Sequence, residues 1–305
     1  MISLRYHVVT IVAIFLALAI GLLAGGAFVQ PALQEELQNR TDAAEARAEG
    51  LRGEIDDLHT EISGLGAFAD AVAPMLTDGK LSGTPVVVVT QTGVEDGVLS
   101  EVQSALASAG ARVLTTVSAT DELVSKDPAT QGQLATIVGE PTASADELPR
   151  LAAQALALGL SPSTSVVGGD VLDQLLSAGF LAPIGPGPSQ ATLDEIGQPG
   201  QVVVVLSGGR GDNQPTLPPE DFAVPLVTRL AGLSVPVAAG ESLLSDYPYV
   251  SLVRDAGTDG TVTVDDLDRT MGGAALVLGL EDLIGTGAGG DYGVKDGADP
   301  LPPLP

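Results

Sequence analysis

A largely apolar, uncharged run from Val8 to Val29, VVTIVAIFLALAIGLLAGGAFV, constrains this chain more than any other feature. It holds no charged residue over about 22 positions, which as a helix reach about 33 Å, enough to cross a hydrocarbon core of roughly 30 Å. A secretory signal has a shorter apolar region and ends in a small-residue cleavage site. Ala24-Gly25-Gly26-Ala27 offers such a site, but the length of the run favours an uncleaved anchor. Arg5 just before the span favours a cytoplasmic start, while Arg40, Arg47 and Arg52 beyond it pull the other way. With Glu35 and Glu36 the nearest charges on the far side, the expected topology is single-pass. Residues 1–7 are then cytoplasmic, 8–29 transmembrane, and the bulk of the chain extracytoplasmic.

Behind the anchor lies a second helical signal, expected over residues 30–68, with Gln30-Pro31 marking the end of the membrane helix. Leu37, Ala44, Ala48, Leu51, Ile55, Leu58, Ile62 and Leu65 follow the 4, 3, 4, 3 spacing of a coiled coil, with Thr41 filling the gap. Glu45, Arg47, Glu49, Arg52, Glu54, Asp56, Asp57 and Glu61 occupy other positions. Such a stripe needs a cover. Since each copy is anchored at the same end, a parallel homodimer or higher oligomer through these eight apolar residues is the simplest arrangement. An amphipathic helix packed on its own domain is the other reading.

Asp78-Gly79 and Ser82-Gly83 suggest a linker over 69–83, after which the texture becomes α/β. Val86 to Val89 is a continuous β-branched run, as a strand buried on both faces requires. Val98, Val102, Leu106 and Ala109 then carry helical spacing up to Gly110, and Arg112 to Val117 reads as the next strand. This βαβ unit implies parallel strands with a crossover helix. Further on, Ser144 to Glu147 forms a capping box before a helix ending near Gly159. Ser165-Val166-Val167 reads as a short strand, Asp170 to Ser177 as a helix, and Gln201 to Leu206 as a second apolar strand. A helix from Pro219 carries Phe222, Leu226, Val227 and Leu230. Val235 to Ala238 reads as an edge or short strand because of Pro236. Asp265 to Asp282 is the last expected helix. The predicted class is α/β: transmembrane helix, coiled-coil helix, then a mostly parallel doubly wound sheet of Rossmann or flavodoxin type over residues 84–284. Residues 285–305, rich in Gly and Pro, are expected to be a disordered tail.

Composition narrows function. The 305 residues carry a net charge of −26, which repels phosphate backbones and argues against a nucleic-acid partner. There is no cysteine, hence no disulfide, thiolate ligand or cysteine nucleophile. With 3% aromatics and no Trp, the chain lacks the aromatic girdles of an outer-membrane barrel. No GxGxxG, Walker A or GxSxG motif occurs, and no cofactor is expected. Of the two histidines, His7 flanks the span and His59 sits among the stalk charges, neither with a partner at catalytic or metal spacing. Met75 and Met271 read as packing residues.

In parallel α/β folds ligands bind beyond the carboxyl ends of the strands. The best candidate is the loop after the VVVVL strand. There Gly208 and Gly209 would permit close backbone approach, Arg210 would hold an anion, and Asp212 would serve in acid–base chemistry; the plain reading is a flexible turn. Asp255, Asp259, Gly260 and Asp266 fall at calcium-loop positions one, five, six and twelve. However, Gly257 replaces the ligand at three and no entering helix is evident. A turn with a helix cap explains that segment better.

The opening MISLRYHVVTIVAIFLALAIGLLAG, the stalk, the PVVVVT strand and the closing VTVDDLDRTMGGAALVLGLEDLIGTGAGGDYG together resemble the mycobacterial copper transport protein B family. The resemblance runs from Met1 to about Val294. It implies a role in copper efflux or homeostasis in an actinobacterial envelope, with copper as the transported ion and a pore-forming role in the outer membrane; no enzymatic activity is expected. Read from the residues alone, the alternative is a membrane-anchored oligomeric scaffold or assembly factor. Its α/β domain would bind envelope protein partners, with the lipid bilayer holding the anchor. An enzyme acting through Gly208–Asp212 is a third reading, which Asp212→Ala would test.

Overall fold

The computed structural model describes residues 4–162, 168–211 and 216–303. The chain divides into two units, Met1–Leu65 and Gly66–Pro305. The first is a helix throughout its described length, the opening part of α1 (Leu4–Thr77). The expected break at Gln30-Pro31 is absent. Proline forfeits one backbone hydrogen bond, a cost a long helix can absorb. The expected linker over 69–83 is also corrected. α1 continues to Thr77 because Ala69 and Ala73 are buried within the second unit, so its last turns belong to the domain. Only the turn from Asp78 to Gly83 separates it from the first strand.

The second unit continues with β1 (Pro85–Gln91), α2 (Asp96–Ser108), β2 (Arg112–Ala119), α3 (Pro128–Ile137) and α4 (Leu148–Gly159). There follow α5 (Gly168–Ser177), β3 (Leu181–Pro183), α6 (Gln190–Glu195), β4 (Val202–Leu206) and α7 (Ala223–Gly232). The chain closes with β5 (Val237–Gly240), α8 (Val250–Asp255), β6 (Thr261–Val264), α9 (Thr270–Thr286) and β7 (Gly290–Tyr292). Among the described residues the sheet has seven strands in the order β3-β2-β1-β4-β5-β6-β7, of which only β3 runs antiparallel. The first six match the 3-2-1-4-5-6 order of dinucleotide-binding sheets, with the reversal of direction between β1 and β4.

Alternation explains why β1 and β4 read as continuous apolar runs. Val86 and Val88 join Val202, Val204 and Leu206 in one core with α2 and α9. Val87 and Val89 join Val203 and Val205 in the other core, with α4, α5 and α7. A strand with a helix layer on each face has no polar side to display. Helix α9 is apolar nearly all round, with Gly272 to Leu280 buried without a break, so it is enclosed rather than amphipathic. Gly273 lets it approach α2: a Cβ there would lie 2.9 Å from Glu101 Oε1 and 3.1 Å from the Ala105 Cβ.

Three local expectations change. The strand expected at Val235–Ala238 shifts to Val237–Gly240, and it lies between β4 and β6 rather than at an edge. Pro236 precedes the strand, so its missing N–H costs the ladder nothing, and its carbonyl accepts from Val203 N at 3.0 Å. The last helix begins at Thr270, not Asp265, because Thr261–Val264 is a strand and Asp265 to Asp268 turn away from its end. The segment after Gly285 is not a loose tail. It supplies β7, paired with β6, and Leu301 packs against the core. The strand expected at Ser165–Val167 lies outside the described residues.

Candidate functional site

The carboxyl ends of β1 and β4, where the sheet order reverses, are the natural place for a ligand. Here the strand ends are bridged by side chains of the protein itself. Ser207, just past β4, donates through Oγ to Gln91 Oε1 at the end of β1. Gln91 Nε2 donates in turn to the Leu217 carbonyl at 3.2 Å. Gln91, Ser207 and Leu217 are all buried.

The glycine loop that follows is likewise committed to its neighbours. Gly208 has φ +100°, and a Cβ there would lie 2.6 Å from Ser245 Oγ. Gly209 N donates to Ser245 Oγ at 3.2 Å, and its carbonyl accepts from Asp246 N at 2.8 Å. Gly211 N donates to Asp246 Oδ2 at 2.8 Å. Gly208 and Gly209 are buried and Arg210 is exposed. Close approach is therefore why glycine is needed, but the partner is the loop after β5. Asp212 lies outside the described residues, so the four predicted residues are not brought together as a described site.

The densest polar chemistry sits beyond β5, β6 and β7. Glu241, directly after β5, is buried and bridges Lys295 at 2.7 Å. Its other oxygen accepts from Tyr249 N at 2.7 Å and Val250 N at 3.1 Å, so Glu241 caps the start of α8. Asp265, directly after β6, is fully buried. It pairs with Arg254 of α8 at 2.9 Å and accepts from Val294 N at 2.8 Å and Lys295 N at 3.2 Å. Arg254 also donates to Thr263 Oγ1 at 2.8 Å and the Tyr292 carbonyl at 3.1 Å. Thr263 Oγ1 donates to Asp291 Oδ1 at 2.7 Å. The network ties β6, β7, α8 and the C-terminal segment together. Sequence reasoning missed it because its members lie up to 54 positions apart; the DD pair after a TVTV run was its one local signal.

Asp266 differs from Asp265. It is buried, its Oδ1 has no hydrogen-bond partner among the described residues, and its pKa is raised to about 6. Burial is the larger cause, followed by the charges of Asp265 and Asp268. The calcium-like reading fails here. Asp255 ends α8, Asp259 lies in a turn, and Asp266 is at the far end of β6, so a strand occupies the positions a loop would need. Among the described residues no group of three or more His, Asp or Glu side chains is placed to hold a metal ion.

Two surface pockets flank these features. One of about 510 Å³ is lined by Ser251, Arg254, Asp255, Asp291, Lys295 and Asp296, and both its basic groups are already paired. The other, about 240 Å³, lies among the last turns of α1, α2 and α9. Thr270 donates there to Asp70, and Glu101 has its pKa raised by burial and then by Asp70.

In the first unit, Arg5–Gly25 is long and apolar enough to cross a membrane, with no part of it buried. Farther along α1, Leu37, Leu51, Ile55, Leu58, Ile62 and Leu65 are 50–63% exposed. Ala44 is also exposed and Ala48 intermediate.

Sequence similarity to known proteins extends across both units. The chain is similar to proteins named copper transporter MctB from Mycobacterium tuberculosis and Mycobacterium bovis, each 28% identical over 98% of both chains. The Mycobacterium leprae protein of that name is 27% identical over 98% of both. The family model described as copper transport outer membrane protein, MctB, matches residues 1–303, so the chain belongs to the MctB family.

Proposed function

We propose that this chain is a membrane-anchored component of copper transport, acting in efflux or homeostasis at the cell envelope. Residues 8–29 hold it in the bilayer, and the α/β domain works on the extracytoplasmic side. The observation that carries this reading is the end-to-end match. The similarity includes the apolar span and the domain alike, from residue 1 to 303, and the relatives are named as copper transporters. Copper is the cargo in this reading. The chain has no cysteine, three Met and two His, a sparse supply of the soft donors that Cu(I) prefers. That points to a role in an assembly that conducts or routes the ion rather than to a buffer that stores it. The outer membrane named in the family description is the proposed location.

A second reading rests on the side-chain bridge between the ends of β1 and β4. Gln91, Ser207 and the Leu217 carbonyl satisfy one another where a substrate would sit. This favours a domain that binds partners by its surface, as a scaffold or assembly factor would. The deciding experiment is elemental analysis of cell-associated copper in a strain lacking the protein and in its complemented counterpart, both grown with added copper. A rise on deletion, reversed by complementation, is expected for transport. Unchanged copper would overturn that reading in favour of the scaffold.

A further inference from the structure

We propose that α1 pairs with α1 of a second copy as a parallel, in-register, two-stranded coiled coil over residues 37–65. The exposed stripe described above is too regular to be incidental. Its d positions are Leu37, Ala44, Leu51, Leu58 and Leu65, and its a positions are Thr41, Ala48, Ile55 and Ile62. Residue identity at a and d selects the oligomer. β-Branched residues at a with Leu at d favour two parallel strands, whereas Ile at both, or Leu at a with Ile at d, shifts toward three or four. The two heptads from Leu51 to Leu65 carry Leu at every d and Ile at both intervening a positions, which is the two-stranded pattern.

The flanking charges are mixed, with one attractive and one repulsive pair, so direction rests on the common anchor and register on the a and d residues. In a parallel dimer each g residue faces the following e residue of the other copy. That places Arg40 opposite Glu45 and Glu54 opposite His59, and leaves Arg47 opposite Arg52 as the single like-charged pair. Arg40 already bridges Glu36 on its own helix at 2.8 Å, so its guanidinium is held on the flank of the seam. A common anchor at the amino end gives both helices the same direction. The occupant is therefore a second copy of this chain, not an unrelated helix of arbitrary polarity. Gly50 and Gly53, at c and f, lie off the seam, and a Cβ at either would meet nothing within 4 Å.

The absence of cysteine makes the test clean, since each single substitution installs the only thiol. Leu51→Cys and Leu58→Cys at d, with Ala46→Cys and Thr60→Cys at f as controls, are expressed as full-length protein in membranes and mildly oxidised. A species of twice the chain's mass is expected for the d variants at no less than ten times the yield of the controls. Equal linking on all faces, no linking, or a product of another mass would overturn the proposal. In lipid nanodiscs the unmodified chain is expected to hold two copies per particle. Leu51→Lys with Leu58→Lys is expected to reduce that population at least tenfold without altering the far-ultraviolet signature of the folded domain. Three or more copies, or a population unchanged by the double substitution, would overturn the two-stranded pairing.

Discussion

Asp266 is the residue whose chemistry departs furthest from its sequence context. An unfolded aspartate titrates near ~3.9, and burial raises this one to about 6. Between those values the folded state binds the proton more readily. The contribution of Asp266 to stability is thus full below about pH 4 and lost as pH rises toward 6. The loss amounts to at most about 3 kcal/mol. The chain as a whole is strongly acidic and loses stability in the same direction. The informative quantity is therefore the difference between Asp266→Asn and the unmodified protein. Asn at 266 is expected to raise the thermal midpoint at pH 7, with the advantage vanishing near pH 4, as followed by circular dichroism of the full chain. An advantage independent of pH would rule out the assigned protonation. Glu241 offers the opposite case: it is buried and its charge is answered by Lys295. Lys295→Met leaves that carboxylate with only its Tyr249 and Val250 amide donors, and a loss of about 1–3 kcal/mol is expected in chemical denaturation.

At the scale of elements, α9 and its flanks explain why the closing segment is so distinctive a signature. Gly240 packs under Leu267, and Gly279 faces Tyr292, where a Cβ would lie 2.8 Å from the ring. Gly279→Ala is expected to cost about 1–3 kcal/mol through overpacking, visible as a lowered midpoint. The stalk should respond oppositely. Gly50→Ala and Gly53→Ala meet open space and should each stabilise the helix by about 1 kcal/mol, measurable by helix melting. The alternation in β1 and the spacing of α2 were legible because burial on both faces, or on one, leaves a direct trace in residue type. Strand β6 was not. Its TVTV sequence places hydroxyls where an interior strand would carry aliphatic groups, and Thr263 is there to join Arg254 to Asp291.

For the whole molecule, the segment after Gly285 is the sharpest departure from composition. Its Gly and Pro content suggests disorder, yet β7 pairs with β6 and Lys295 reaches Glu241 across 54 residues. Truncation after Thr286 removes β7, the backbone donors to Asp265 and the Lys295 charge together. Loss of the folded domain is expected, read as failure to recover intact protein after limited proteolysis. Removal of residues 1–29 should instead move an intact domain from the membrane pellet to the soluble fraction.

The apolar span, the heptad stripe, the two aliphatic strands and the family were all readable from the chain itself, because each depends on residues close in sequence or on a pattern kept from end to end. The order of the strands, the hydrogen bond from Ser207 to Gln91 across their ends, and the ion network around Glu241 and Asp265 were settled only by tertiary structure. Those features depend on which distant groups arrive beside one another, and a buried charge or amide finds its partner by position in space rather than by spacing along the chain.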